Sequence, residues 1–196
     1  MTRHLSMLAV LTLTMACNNV SKDQVEKADS ANRVNRQNDT VSDKKVAITT
    51  GKAGTEFLVR AMDAGLMELT LGNIARQKAV NKRVRDCGDM IVRDHAEAGD
   101  KIKSLAAART VALPSMTGDD NAKIIGRINS RKNGQFDKAY IDQMVDDHQK
   151  NIKDFETASD NVDDSEIRSF IGATLPVLRK HLDSCKAIQR WLDEKH

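Results

Sequence analysis

The chain has 196 residues, of which 40% are hydrophobic, 30% charged and only 3% aromatic, with ten Gly and two Pro. So few aromatics and turn formers make a strand-rich sandwich or barrel hard to build and close, and the charge content excludes a polytopic membrane protein. The formal charge of +3 is uneven: residues 54–196 hold 23 basic and 23 acidic side chains, so the excess lies upstream. A neutral domain without a basic stripe lacks the phosphate-neutralising term of nucleic-acid binding, and no nucleic-acid partner is expected.

Residues 1–16 carry Arg3 and His4, then an apolar run from Leu5 to Ala16 that is too short to span a bilayer and of the right length for a signal peptide. The run ends at Ala16-Cys17, the pattern of a bacterial lipoprotein signal, in which Cys17 becomes the acylated first residue. Thr14 stands where Leu is usual, so ordinary cleavage nearby is the alternative. Either way the sequence predicts an exported protein on the periplasmic side of the cell envelope. The lipid reading makes it an outer-membrane lipoprotein whose membrane contact is the anchor. Residues 17–53 contain no aromatic residue and only isolated apolar ones, a composition that predicts a flexible tether.

From residue 54 the apolar positions recur with a period near 3.5, and four long helical segments can be laid on them. Thr55 with Glu56 opens the first, Asn81 the second, and Asp163 with Glu166 forms a capping box for the fourth. Leu113-Pro114 ends the second and Asn133-Gly134 precedes the third. Residues 115–133 between them hold a short helix with Ile124, Ile125 and Ile128 inward, a connection long enough to run the length of a bundle. The expectation is an all-α domain over 54–196, built as four main helices with a long crossover between the second and third.

Each inner stripe carries one ionisable group. The first helix presents Ala61, Gly65, Glu68, Gly72, Ala75 and Ala79, all small except Glu68. The second presents Val84, Cys87, Ile91, His95, Ala98, Ile102 and Leu105; the third Ile141, Met144, His148, Ile152 and Phe155. The fourth presents Ile167, Ile171, Thr174, Leu178, His181, Cys185, Ile188 and Leu192. A buried carboxylate costs several kcal/mol unless paired or bound to a cation, and three imidazoles would supply what Glu68 needs. Glu68, His95, His148 and His181 are therefore the candidate metal ligands at mid-bundle, suited to Zn, Fe, Cu or Mn. The competing arrangement is a metal-free salt-bridge cluster, with Glu68 ionised beside one protonated His.

Ile91-Val92-Arg93-Asp94-His95 and Met144-Val145-Asp146-Asp147-His148 share one pattern, which makes the second and third helices look like related copies. Asp94 and Asp147 lie about 100° around the helix from their His neighbours. They either orient a histidine on another helix or point to solvent, the more ordinary fate. Cys87 lies eight residues before His95 and Cys185 four after His181. With both histidines at one level, antiparallel helices bring the cysteines within about 6 Å along the axis and parallel ones leave about 18 Å. Export then favours a Cys87–Cys185 disulfide over two buried thiols.

Ala64 to Gly72, Met90 to His95, Phe136 to Tyr140, Met144 to His148 and Leu175 to Leu182, taken in this order, resemble the bacterial proteins catalogued as domain of unknown function 4142, often labelled outer-membrane proteins. The resemblance covers about residues 54–190 and implies a ferritin-like four-helix bundle with a crossover; it brings no settled activity. This sequence departs from the family pattern at Cys87 and Cys185, where an aromatic and a small residue are commoner. It also has Val92 and Val145 three places before the histidines, so the Glu-x-x-His pairs of di-iron carboxylate proteins are missing.

No nucleophile–base pair, glycine phosphate loop or carboxylate dyad is visible, and no catalytic residue is assigned. The expected function is a non-enzymatic, lipid-anchored bundle binding a transition metal. The alternative is an envelope interaction or stress module whose Glu/His cluster only fixes helix register.

Overall fold

A computed structural model describes residues 23–39 and 50–195. The expected signal peptide over 1–16 and the acylated Cys17 lie outside them. Among the described residues the chain is all-helical: α1 (Gln24–Asp39), α2 (Lys52–Lys78), α3 (Lys82–Ala107), α4 (Asp119–Asn129), α5 (Gly134–Asn161) and α6 (Ser165–Lys195). The four long helices pack in a ring, with α2 against α3 and α5, and α6 against the same two. Short joins make α2 and α3 antiparallel, as they do α5 and α6. The contacts Phe57–Phe155 and Lys78–Phe136 run α2 antiparallel to α5, and Cys87–Cys185 and Arg83–Trp191 run α3 antiparallel to α6. The 108–133 connection carries α4 along α2 and α5, so the chain starts α5 at the far end of the ring.

The local start and stop signals explain most boundaries and correct some expectations. Asn81 caps α3 as its side chain accepts from the Arg83 N–H at 2.9 Å. Helix α2 begins earlier than expected, at Lys52 with Gly51 as its cap, because the Thr55 hydroxyl turns back to the Gly51 carbonyl instead of capping. Helix α3 ends at Ala107 rather than at Leu113-Pro114, closed by the Val111 N–H on the Ala106 carbonyl with Thr110 at φ 56°. The cap of α6 is Asp164, not Asp163: its Oδ1 accepts from the Glu166 and Ile167 N–H groups, both at 3.1 Å. Glu166 turns to Arg109 at 2.7 Å rather than closing a capping box.

The tether expectation needs correcting over residues 24–39, which form α1 and dock on the loop after α3. Composition did not reveal this because polar groups hold the helix. Buried Asn32 exchanges both bonds of its amide with Ala112, donating at 2.9 Å and accepting at 2.6 Å. Asn35 donates to the Thr110 carbonyl, and Asp23 accepts from the first N–H of α4. These side chains satisfy loop groups that would otherwise lack partners.

The inner stripes of α3, α5 and α6 lie largely where the period placed them, whereas on α2 Ala61 and Gly65 are only half-buried and Leu58, Met62, Met67 and Leu71 fill the core beside Glu68, Gly72 and Ala75. Val84, Cys87, Ile91, His95 and Ile102 of α3 are buried, as are Ile141, Met144, His148 and Phe155 of α5 and Ile167, Ile171, Leu178, His181, Cys185 and Leu192 of α6. They build two apolar clusters, one around Leu71, Ile91, Tyr140 and Cys185, the other around Phe57, Ile102, Phe155 and Ile171. Glu68, His95, His148 and His181 form a polar layer between the two. The small stripe of α2 has two different uses. At Gly72 and Gly88 the backbones of α2 and α3 meet, and a Cβ on Gly88 would stand 2.9 Å from the Gly72 carbonyl oxygen. At Gly65 a Cβ would meet nothing within 4 Å.

Candidate metal centre

Each of the three histidines comes from a different helix, and each has one nitrogen facing an acceptor. His148 Nδ1 lies 2.8 Å from the Met144 carbonyl oxygen, one turn back on α5. A carbonyl only accepts, so this nitrogen carries the proton and Nε2 is bare when the ring is neutral. His181 Nε2 lies 2.9 Å from Asp94 Oδ2, across the α3–α6 seam, which likewise leaves Nδ1 bare. His95 Nδ1 lies 2.9 Å from Glu68 Oε2. Its Nε2 is buried and has no hydrogen-bond partner.

The free nitrogens converge. His148 Nε2 and His181 Nδ1 are 3.2 Å apart, and the three ring centroids are separated by 5.2, 5.4 and 5.6 Å. One nitrogen from each of His95, His148 and His181 lies within 4.8 Å of the other two. A tetrahedral ion with bonds of about 2.05 Å sets its ligand nitrogens about 3.3 Å apart. The His148–His181 pair already has that spacing, and His95 needs a small inward shift to join it. The three buried histidines could hold a metal ion.

Charge in the layer is set by burial and by these partners. Burial alone would raise the pKa of Glu68, but the charges of His95, His148 and His181 outweigh it and lower it to about 2. Burial opposes protonation of His95, and the neighbouring Glu68 reverses this, raising its pKa. Burial lowers the pKa of His148 against the pull of Glu68. His181 falls to about 4 because burial exceeds the support of Asp94. At neutral pH Glu68 is thus ionised and His148 and His181 are neutral, while the Glu68 charge favours the protonated form of His95.

The group of mutually close ligand atoms comes from His95, His148 and His181 and does not include Glu68. Glu68 sits on the outer nitrogens, at 2.9 Å from His95 Nδ1 and 3.6 Å from His148 Nδ1, and does not share the space between the bare ones. Asp94 takes the less ordinary of its two expected fates and orients His181 on another helix; a carboxylate behind a ligating imidazole fixes its tautomer and raises its basicity. Asp147 does not do the same. It accepts from Gln143 at 2.9 Å, its other oxygen is buried without a partner, and burial together with the Glu68 charge raises its pKa to about 7.

Two further residues escaped the sequence reading. Asn151 donates to Glu68 Oε1 at 3.2 Å; it stands three places after His148, on the same face, which was a usable signal. Buried Asp137 accepts from the Val80 and Asn81 N–H groups at 3.0 and 2.7 Å and fixes the α2–α3 turn, a contact between helices that no local pattern reveals. Cys87 and Cys185 do meet, with Sγ atoms 3.5 Å apart, but stand as free buried thiols and not as the expected disulfide.

Beside the histidine layer lies a cavity of about 170 Å³, walled largely by apolar side chains of α2, α3 and α6. His95, His181, Glu68 and Asp94 border it and His148 does not. A surface groove between α3 and α6 shares Asp94, Ala98, Phe170, Thr174 and Val177 with the cavity, so these residues stand between the histidines and solvent.

Residues 39–188 match the profile of a family described as a domain of unknown function, DUF4142. Among solved structures, the crystal structure of a DUF305 fragment from Deinococcus radiodurans is similar, with a TM-score of 0.65 at 10% identity, covering 72% of this chain and 97% of that one. At that identity the likeness concerns the fold alone. No curated protein matches the sequence.

Proposed function

For this chain, which belongs to the DUF4142 family, we propose the function of an exported transition-metal-binding protein, built as a ferritin-like helical bundle and anchored through acylated Cys17. One ion is held by His95 Nε2, His148 Nε2 and His181 Nδ1. Glu68, Asp94 and the Met144 carbonyl fix the tautomers of these rings from behind.

The observation that carries the reading is the pair of bare nitrogens of His148 and His181 at 3.2 Å. Two lone pairs facing each other in a buried layer repel, and a cation between them turns the repulsion into two bonds. Three imidazoles suit the borderline ions Zn(II), Cu and Fe better than Mn, which prefers oxygen ligands. Glu68 gives the site a compensating charge without occupying a coordination position. Cys17 ends an apolar leader, and that pattern supports export and lipidation.

The test is the metal content of the full chain after dialysis against an equimolar mixture of Zn, Cu, Fe and Mn ions. About one ion per chain, lost on His148→Ala with helicity retained, is expected. A folded protein with no ion above background overturns the reading and leaves the layer as a register device. Fractionation of cells producing Cys17→Ser separately tests the anchor, whose loss moves the protein out of the membrane fraction.

A further inference from the structure

Of the three histidines, two face the cavity beside the layer: His95 and His181 border it directly and His148 does not. His95 Nε2 is buried, unpartnered and on that border. Three ligands leave a tetrahedral ion one open position, the arrangement of catalytic rather than structural sites.

The cavity narrows the choice of a fourth ligand. Its volume of about 170 Å³ exceeds the ~30 Å³ share of one water several-fold and is close to the ~150 Å³ of an apolar cavity that takes benzene or xenon. Its walls include Gly65, Ala98, Leu66, Phe155 and Phe170, and a Cβ at Gly65 or Gly99 would meet nothing within 4 Å. Apolar walls cannot replace the hydration shell of a strongly solvated ion. Glu68 and Asp94 also line the cavity, so an anion would meet two carboxylates there.

We propose that the cavity is a binding site for a small uncharged molecule, which places one donor atom on the open position of the histidine-bound metal and its remaining body among the apolar walls. The inference rests on the reading of His95, His148 and His181 as metal ligands. Entry is through the α3–α6 groove, past Ala98, Phe170 and Thr174. The empty space at Gly65 is then what admits the ligand, and a larger side chain there closes the site without touching a metal ligand.

Carbon monoxide is a suitable probe: it is neutral, weakly hydrated, binds Cu(I) on imidazole ligands and reports through its infrared stretch. The full chain is loaded anaerobically with Cu(I), its copper content is measured, and carbon monoxide is titrated in. A single C–O band is expected, with Gly65→Leu retaining copper and losing at least about tenfold in carbon monoxide affinity. Bound copper with no C–O band, or equal affinity in Gly65→Leu, overturns the cavity inference and leaves the metal site standing. No copper bound by the folded chain overturns both.

Discussion

His148 Nε2 and His181 Nδ1 face each other at 3.2 Å because the opposite nitrogen of each ring is already committed, to the Met144 carbonyl and to Asp94. Under the proposed function, metal affinity then depends on residues that never touch the ion. Asp94→Asn weakens the hold on His181 and is expected to reduce metal affinity about 10–100-fold, whereas His148→Ala removes a ligand and abolishes stoichiometric binding. Competition titration with a chelator of known affinity separates the two. Equal losses would place Asp94 among the ligands.

Glu68 supplies a sharper contrast. As an orienting carboxylate it is partly replaceable, because Gln still offers one acceptor oxygen to His95. Glu68→Gln is expected to keep one ion per chain with affinity lowered about 10–100-fold. Glu68→Ala leaves His95 and Asn151 without their buried partner and is expected to cost about 3 kcal/mol of stability in urea unfolding. Complete loss of metal in a folded Glu68→Gln would restore the four-ligand arrangement.

The two uses of the small stripe predict opposite signs for the same substitution. A Cβ on Gly88 would stand 2.9 Å from the Gly72 carbonyl oxygen and 3.2 Å from Ala75 Cβ, so α2 and α3 must separate. Gly88→Ala is expected to destabilise by about 1–2 kcal/mol despite the gain in helix propensity. Gly65→Ala meets no atom and is expected to stabilise by about 0.5–1 kcal/mol. Thermal unfolding of the two variants side by side checks both.

Arg109 is buried at the end of α3 and bonds Asp164 through two nitrogens, each at 2.6 Å. The hydrogen bonds from Arg109 hold the Asp164 carboxyl below its ordinary value of 3.8. A lowered folded pKa means that the contribution is complete above the unfolded value and disappears as the pH falls through the folded one. Asp164→Asn is therefore expected to lose about 2 kcal/mol at pH 7, with Glu166 still pairing Arg109. The gap between the urea midpoints of variant and parent should begin to narrow as the pH falls below ~3.8 and close below the lowered folded value. A gap unchanged at pH 3 would assign the loss to the cap alone.

Cys87 and Cys185 are in contact, with Sγ atoms 3.5 Å apart and no bond between them. Under the proposed export the pair would meet disulfide donors, and transfer of a disulfide to it releases two thiols of the donor and joins α3 to α6. Incubation with oxidised glutathione under mild denaturation, then refolding, is expected to remove both thiols from a thiol titration and add about 2–4 kcal/mol of stability. Two thiols still titrating after that treatment would show that the seam excludes the bond.

The amino-acid pattern alone determined the four long helices and the buried faces of α3, α5 and α6, because a period near 3.5 is a local property that burial must respect. That is why the inward positions of Ile91, His95, Ile141, Met144, Ile171 and His181 are legible in the spacing itself, and why the antiparallel pairing of the two cysteine-bearing helices follows from counting residues. What the pattern could not show was which nitrogen faces what. Glu68 reads as a ligand on a stripe and becomes an orienting group only when His95 Nδ1 turns toward it. Asp94 finds His181 because α3 and α6 are neighbours, and its counterpart Asp147 finds only Gln143 because α5 lies differently in the ring. Helix α1, the cap at Asp164 and the grip of Asp137 on the α2–α3 turn depend on hydrogen bonds between elements or on a one-residue choice of cap. Composition and period carry neither kind of information. Tertiary structure decided them because a polar group is committed by the partner that reaches it, and reach is set by the packing of helices far apart in the chain.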